Sequence, residues 1–486
     1  MNLFFAPLPA GTRFAVGVVS FGLAVATSIH AILNRRDPRA ALWWTAVAWV
    51  FPIIGPTLYY FVGINRIQRK ASRLGRRQLP VVKTAEPRFF SRSDDPMRVS
   101  PQMRHLFSLS RLVDGVVGKP LMEGNRITPL INGDEAYPEM IRAIDESTST
   151  VSLSTYIFNN DRAGQLFIDA LGRAVRRKVQ VRVLIDDVGS GWGRSSVHKA
   201  LEAAGVPVAY FLPTFVPWRM AYVNLRSHRK IMVVDGRIGF SGGMNIAESH
   251  VLALKTRFPS KDIHFRIEGP VVTHLQETFR DDWCFVTDEV LPGDPWFPSQ
   301  QAMGPVAARG IAGGPDEDFE KLKWTLLGAV GNAKKSIRIM TPYFVPDRAL
   351  VQSLNLAAMS GTRVEILLPG VSDLAAVQWA STAMLWQVLE HGCRVWMSPP
   401  PFDHTKLLLV DSGWSLFGSS NWDTRSLRLN FEFDVEAYDE ALAQRLEAIF
   451  DARVSEAREI TLADVDSRAL PIKLRDGVAR LFSPHL

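Results

Sequence analysis

The feature that most constrains this chain is a segment written twice. SHRKIMVVDGRIGFSGGMN, from Ser227 to Asn245, and DHTKLLLVDSGWSLFGSSN, from Asp403 to Asn421, align without a gap at an offset of 176 residues. His228 pairs with His404, Lys230 with Lys406, Asp235 with Asp411, and Asn245 with Asn421. Both copies read H-x-K-x4-D followed by Gly and Asn at fixed distances, and two such matches in register are not coincidence. The chain is therefore one fold used twice.

Around each copy, helical patterns alternate with short β-branched runs. These are VSLSTYIF (151–158), VQVRVLID (179–186) and VPVAYFLP (206–213), then SIRIMTPYF (336–344), TRVEILLP (362–369) and CRVWM (393–397). Strands separated by helices of this length predict an α/β fold with two similar halves around one shared cleft. Tyr156-Ile157-Phe158 ends a strand of the first half as Tyr343-Phe344 ends one of the second. At 486 residues the chain exceeds one ordinary core. We divide it into an anchor over 1–80 and two catalytic halves over 81–300 and 301–486.

His and Lys two apart on a strand share a face. The apolar IMVV or LLLV that follows carries the strand into the core, which leaves His and Lys at its accessible beginning. Two imidazoles facing each other across a phosphate suit a two-step displacement: one attacks phosphorus, and the other protonates the leaving alkoxide and then deprotonates an incoming alcohol. Lys230 and Lys406 supply positive charge for the phosphoryl oxygens, and Asn245, Asn421 and Ser419 are candidates for binding substrate. With protein cations in this role no metal or other cofactor is expected, and no His, Asp or Cys cluster has metal-ligand spacing. Each imidazole needs an orienting acid. Asp262 and Glu432 lie about 30 residues downstream of His228 and His404 respectively, a spacing that leaves open which acid serves which histidine. Asp235 and Asp411 complete the signature as candidate catalytic residues, although each opens a turn (DG, DS), and a structural role is the better reading.

The front of the chain is of another kind. Phe14 to Leu33 and Ala40 to Ile64 are uncharged stretches of 20 and 25 residues, each long enough to span a bilayer. Trp43, Trp44 and Trp49 stand towards one end of the second, and Tyr59 and Tyr60 towards the other. Pro52, Gly55 and Pro56 would kink it, so a re-entrant hairpin is the alternative to a second span. A cleaved signal peptide is disfavoured, because no basic residue precedes Arg13 and a second apolar stretch follows at once. The first 80 residues hold ten Arg or Lys against one acid; the chain's net charge of +7 then leaves about −2 for the rest. Arg35, Arg36 and Arg39, then Arg66, Arg69, Lys70, Arg73, Arg76 and Arg77, favour a cytoplasmic body and contact with anionic lipid. The near-neutral body argues against nucleic acid as partner. Cys284 and Cys393 are too few and too far apart for a disulfide framework.

The duplicated H-x-K-x4-D with trailing G-x-x-N or G-S-x-N resembles the phospholipase D superfamily. More narrowly, the chain is similar to bacterial cardiolipin synthases. The similarity extends over DPRAALWWTAVAWVFPIIGPTLYYFVGINR, SGGMNIAE, DIHFRIEGP, TPYFVPD and LPIKLRDGVARLFSPHL. The apolar run PTFVPWRMAYV before His228 is an insertion of the first half relative to the second. The resemblance implies a phosphatidyl transfer in the bacterial inner membrane: one phosphatidylglycerol forms a phosphatidyl-histidine and releases glycerol, and a second supplies the acceptor hydroxyl. It also implies His228 as nucleophile and His404 as acid and base. A hydrolytic phospholipase D is the closest alternative. At the C-terminus Leu474, Val478, Leu481 and Phe482 share one helical face with Lys473, Arg475 and Arg480 off it. Such a face either packs on the second half or lies in a headgroup layer.

Overall fold

The computed structural model describes residues 9–35, 38–63, 101–189, 196–212, 225–315, 318 and 320–481. The basic residues from Arg66 to Arg77, Arg36, the insertion before Leu225 and Phe482 lie outside them. The chain separates into two compact units, each taken by itself below.

In the N-terminal unit, helix α1 (Ala10–Asn34) is followed by α2 (Pro38–Val50). Both are apolar, and their contact is made by small side chains. Ser20, Ala24, Thr27 and Ala31 of α1 are buried, as are Ala41 and Ala48 of α2, the pattern by which helices approach closely in lipid. Trp49 Nε1 donates to Ser28 Oγ at 3.1 Å and its ring meets Phe21 edge-on. Among the described residues, Gly11–Asn34 alone is long and apolar enough to cross a membrane, with a mean hydropathy of 2.0. The second apolar stretch is not one continuous helix. α2 stops before Pro52, Ile53 takes a left-handed φ of 73°, and α3 (Ile54–Leu58) runs into a wide turn at Tyr59–Gly63. This last part doubles back. A Cβ on Gly55 would collide with the Val47 carbonyl. Tyr59 stacks edge-on against Trp44 at 5.3 Å, and its hydroxyl lies 2.8 Å from His30 Nδ1. The 13 residues of α2 cover about 20 Å at a helical rise, short of the roughly 30 Å hydrocarbon core. The re-entrant alternative describes this geometry better than a second full span.

The second unit is built on one 15-stranded sheet whose order repeats in mirror fashion about a central seam. Met122–Ile131 of the first half pairs antiparallel with Val306–Gly313 of the second. Outward from the seam the first half runs Ile263–Glu268, Ile238–Gly242, Ile231–Val234, Thr150–Thr155, Gln180–Asp186 and Val208–Phe211. The second half runs Glu432–Tyr438, Trp414–Gly418, Leu407–Val410, Ser336–Met340, Arg363–Pro369 and Arg394–Ser398, with Arg458–Ile460 added at its edge. All six β-branched runs read from sequence are thus strands, and the α/β fold with two like halves is as expected. Thr150–Thr155, Gln180–Asp186 and Val208–Phe211 are parallel, as are Ser336–Met340, Arg363–Pro369 and Arg394–Ser398, joined by covering helices such as Arg162–Arg176 and Arg348–Met359, while the edge strand Arg458–Ile460 is antiparallel. Phe265 and Phe417, one from each half, stack with centroids 3.7 Å apart in a cluster that also holds Ile263, Phe433 and Val435.

One segment sits with the other half. Residues 101–117, placed in the first half by sequence, pack in the core of the second. Leu106, Leu109, Val113 and Val117 join Leu322, Leu326 and Ile337 there, and Arg309 pairs with Asp114. Cys284 and Cys393 are both buried and not linked.

The terminal helix Leu470–Leu481 settles on the unit through its opposite face. Ala479 packs with Val345, Val377 and Ala380, and Asp476 is buried between Arg468 and Arg475. Leu474 and Val478 remain 60% and 54% exposed. Packing of the apolar face on the second half is therefore not what the helix does. Replacing both Leu474 and Val478 by Ser should leave stability within about 0.5 kcal/mol, as for exposed sites. Ala479→Asp should cost about 2 kcal/mol or more by burying a charge. Thermal unfolding of the purified protein checks both, and a large loss in the double variant would contradict this packing.

Candidate active site

Each signature histidine stands just before a strand that dives into the core, Ile231–Val234 or Leu407–Val410. Its backbone is gripped by the opposite half. His228 N donates to the Phe431 carbonyl and His404 N to the Lys261 carbonyl, both at 2.8 Å. Phe431 and Lys261 immediately precede the two acids, so the same grip delivers each acid across the seam. His228 Nδ1 lies 2.9 Å from Glu432 Oε2 and 3.1 Å from the Ser419 carbonyl. His404 Nδ1 lies 2.9 Å from Asp262 Oδ2. The partners are thus crossed, first-half histidine with second-half acid and the reverse. A main-chain carbonyl is only an acceptor, so His228 Nδ1 carries the proton and Nε2 keeps the lone pair.

The two lysines follow their histidines on the same face. Lys230 Nζ donates to the His228 carbonyl at 2.8 Å and Lys406 Nζ to the His404 carbonyl at 2.6 Å. All six groups are buried. Burial first, then the Lys230 and Lys406 charges, hold His228 well below the ordinary imidazole range. Burial, Lys406 and Lys230 do the same to His404. Burial also brings Lys230 down to about 7 and Lys406 to about 8. It lifts Glu432 to about 7 and Asp262 to about 6, against the pull of the lysines. Four groups whose charges are this finely balanced respond strongly to an arriving anion.

The other sequence candidates divide. Asn245 Oδ1 accepts from Ile157 N at 3.2 Å, which leaves its amide hydrogens for another acceptor. Asn421 instead gives its amide to Ser426 Oγ at 3.2 Å. Ser419, read as substrate-binding, is corrected to a positioning residue. It is wholly buried, and its hydroxyl donates to Glu432 Oε2 at 2.6 Å and accepts from Phe433 N at 3.0 Å. At the matching place Gly243 leaves room: a Cβ there would stand 2.7 Å from both Asp262 oxygens. Asp235 and Asp411 face away from this chemistry. Asp235 accepts from the amides of Thr148, Ser149 and Thr150. Asp411 accepts from those of Lys334, Lys335 and Ser336 and lies 2.6 Å from His105 Nε2. Each fastens the start of the neighbouring strand, which is a structural task.

Several neighbours escaped the sequence reading. The Tyr156 ring lies 5.1 Å from His228 with Lys230 Nζ 5.3 Å over it. Tyr343 is 6.4 Å from His404 and donates to Asp373 at 2.6 Å. The repeated strand ends were the available signal for these two. His250 lies 6.3 Å from His404, buried and driven down to about 4; nothing in the pattern marked it. Among the described residues no group of three His, Cys, Asp or Glu is placed to hold a metal ion.

Two half-sites that complete each other across a seam, each with His, Lys and an acid, make a phosphodiester-processing centre of the phospholipase D type. The comparisons agree. Residues 140–283 and 326–454 match the family described as cardiolipin synthase, PLD-like domain, and residues 22–63 match the phospholipase D-nuclease N-terminal family. Cardiolipin synthase 1 of Bacillus anthracis is 31% identical over 480 residues, 97% of this chain and 94% of that protein. Major cardiolipin synthase ClsA of Bacillus subtilis is 30% identical over 96% of this chain and 98% of its own length. Phosphatidylserine synthase of Haemophilus influenzae shares the fold, with a TM-score of 0.60 at 16% identity over 78% of this chain and all of that one. The chain belongs to the cardiolipin synthase family.

The structural reading of the signature aspartates is open to a direct check. Asp411→Ala strands three backbone amides and should cost about 3 kcal/mol or more, and Asp235→Ala a similar amount. The measurement is thermal or denaturant unfolding. Unchanged stability with lost turnover would move both residues into the chemistry.

Proposed function

We propose that this chain makes cardiolipin by transferring a phosphatidyl group from one phosphatidylglycerol to another, with release of glycerol, through a phosphohistidine. The observation that carries the reading is the pair of crossed histidine–acid contacts in one cleft, in a chain related over its length to enzymes named cardiolipin synthases. His228 Nε2 attacks phosphorus, and the bond from phosphorus to the glycerol oxygen breaks. His404 gives that oxygen its proton. The hydroxyl of a second phosphatidylglycerol then loses its proton to His404, attacks phosphorus and displaces His228. Glu432 and Asp262 hold each ring with Nδ1–H turned away, so that Nε2 faces the reaction. The unliganded cleft keeps both imidazoles neutral, as a nucleophile requires. A phosphodiester anion between the two ammonium groups offsets their charge and lets His404 take the proton that it must donate.

Transfer is favoured over hydrolysis by enclosure. His228 and His404 are only 9% and 7% exposed, and a site poor in water suits an alcohol acceptor. Residues 1–80 act as anchor and the rest as two phospholipase D-type domains divided near residue 300, with residues 101–117 joining the second of them. The protein sits in the bacterial cell membrane with the catalytic body on the cytoplasmic side, where the basic residues collect. The exposed Leu474 and Val478, with Lys473 and Arg480 beside them, rest in the headgroup layer next to Tyr343 and the cleft.

His228→Ala and His404→Ala should each lower turnover by at least about 1,000-fold, and the double variant should be no worse than either, since the two act as a unit. Acid quenching should trap a phosphatidyl adduct on His228. A single variant that keeps several per cent of activity would break the shared-site mechanism, and an adduct on His404 alone would exchange the roles.

The rate should also depend on pH through the lysines. Both act in the charged form, and burial lowers them to about 7 and 8. Their charge in the free enzyme is lost as pH rises through that window, so kcat/KM should fall above about pH 8, well below an ordinary lysine. Lys230→Arg, charged throughout, should move this limb upward even where the absolute rate is lower. A flat profile to pH 10 in the unaltered enzyme would refute the assignment.

A further inference from the structure

The two ends of the cleft are not alike. At the position two before each histidine, which shares its face along an extended chain, the first half has Arg226 and the second has Phe402. The Phe402 ring lies 5.8 Å from His404 and 6.2 Å from Tyr343, so that end is aromatic. Four residues after each signature asparagine, the first half has Ser249 and the second has Arg425. Both arginines therefore break the repeat.

Arg226 is 2% exposed. Among the described residues its one side-chain hydrogen bond runs from Nη1 to the Leu225 carbonyl at 3.2 Å, and no carboxylate lies within ion-pair distance. Asp186, the acid that most offsets its burial, spends its oxygens on the amides of Ser227, Val188 and Gly189. A buried guanidinium with most of its five donors unspent is costly unless an anion completes it. Arg425 stands half-buried on the short helix Thr424–Arg428, just after Asn421. It too has no ion pair among the described residues. Its carbonyl accepts from Asn430 N at 3.1 Å, and the next residue, Phe431, donates to the Arg226 carbonyl and accepts from His228 N, both at 2.8 Å, which brings the two arginine segments together at His228.

We infer that Arg226 and Arg425 form a second anion subsite beside His228, which takes the phosphodiester of the lipid that is not being cleaved. The inference rests on the transferase reading. Two phosphatidylglycerols bring two phosphodiesters to one cleft, one glycerol unit apart in the product. The histidines and lysines serve the reacting phosphorus, and a hydrolase would need nothing more. The planar arginine fork is suited to the second.

The test compares two reactions of the full-length enzyme in phosphatidylglycerol mixed micelles. Cardiolipin formation uses an acceptor with a phosphodiester, whereas exchange of labelled free glycerol into phosphatidylglycerol uses one without. Arg425→Gln, on the rim, and Arg226→Gln should each lower the ratio of cardiolipin formed to glycerol exchanged by about 10- to 100-fold, the equivalent of one charge-assisted hydrogen bond. Arg425→Lys should recover part of that ratio. An unchanged ratio in Arg425→Gln, whether both rates fall together or neither falls, overturns the subsite. Exchange without any cardiolipin in the unaltered enzyme would instead sink the transferase reading, and the subsite with it.

Discussion

The structure of the catalytic unit depends on a reciprocal contact across its seam. Each histidine receives its backbone acceptor and its carboxylate from the other half, through Phe431–Glu432 and Lys261–Asp262. Neither half holds a finished site, and the groups that finish it stand where strands beside the seam begin, Glu432 as the first residue of one and Asp262 just before the other. Any shift of Met122–Ile131 against Val306–Gly313 would carry both acids away from both rings. The dense aromatic packing around Phe265 and Phe417 is what prevents such a shift. Joining two half-sites in one chain thus turns a problem of association into one of core packing, and keeps buried carboxylates opposite buried imidazoles where an unpaired charge would be costly.

Duplication also frees the halves to diverge. Ser419 stands where the first half has Gly243. The longer Glu432 is tied by the serine hydroxyl, while the shorter Asp262 needs the space that glycine leaves. Arg226 against Phe402 and Arg425 against Ser249 are the same freedom applied to the walls of the cleft. A twofold repeat gives the reacting phosphorus two near-equivalent sides. The departures from the repeat give the two ends of the cleft different chemistry.

Most of the fold was legible in sequence because it is local. Strands such as 179–186 and 362–369 are β-branched runs with helical patterns between them, and the gapless offset identified the two halves. The histidines, lysines and acids were legible for the same reason. What sequence did not reveal depends on pairing across the seam. The crossing of Glu432 and Asp262 follows from which strands meet at the centre, and no local pattern encodes that. Ser419 reads as a substrate contact because a hydroxyl in a signature suggests function; its burial against Glu432 and the Phe433 amide is a tertiary fact. The segment 101–117 joins the far half through long-range contacts such as Arg309 with Asp114. The second apolar stretch leaves a full span and a re-entrant hairpin both open, because hydropathy counts residues and does not register the reversal at Ile53.

That reversal has a consequence for the count of crossings. Tyr59 meets Trp44 at the middle of α2, and its ring lies 5.8 Å from the Arg35 guanidinium just past the end of α1. By Tyr59 the chain has therefore turned back along α2 towards the end of α1. On the proposed anchoring of the chain, a crossing by α1 and a returning second segment make the number of traversals odd. An even number would set the basic linker near Arg35 against the basic stretch from Arg66 to Arg77 in the contest over orientation. With an odd number both clusters vote for the same face, and the charge bias that looked divided along the sequence becomes a single strong signal.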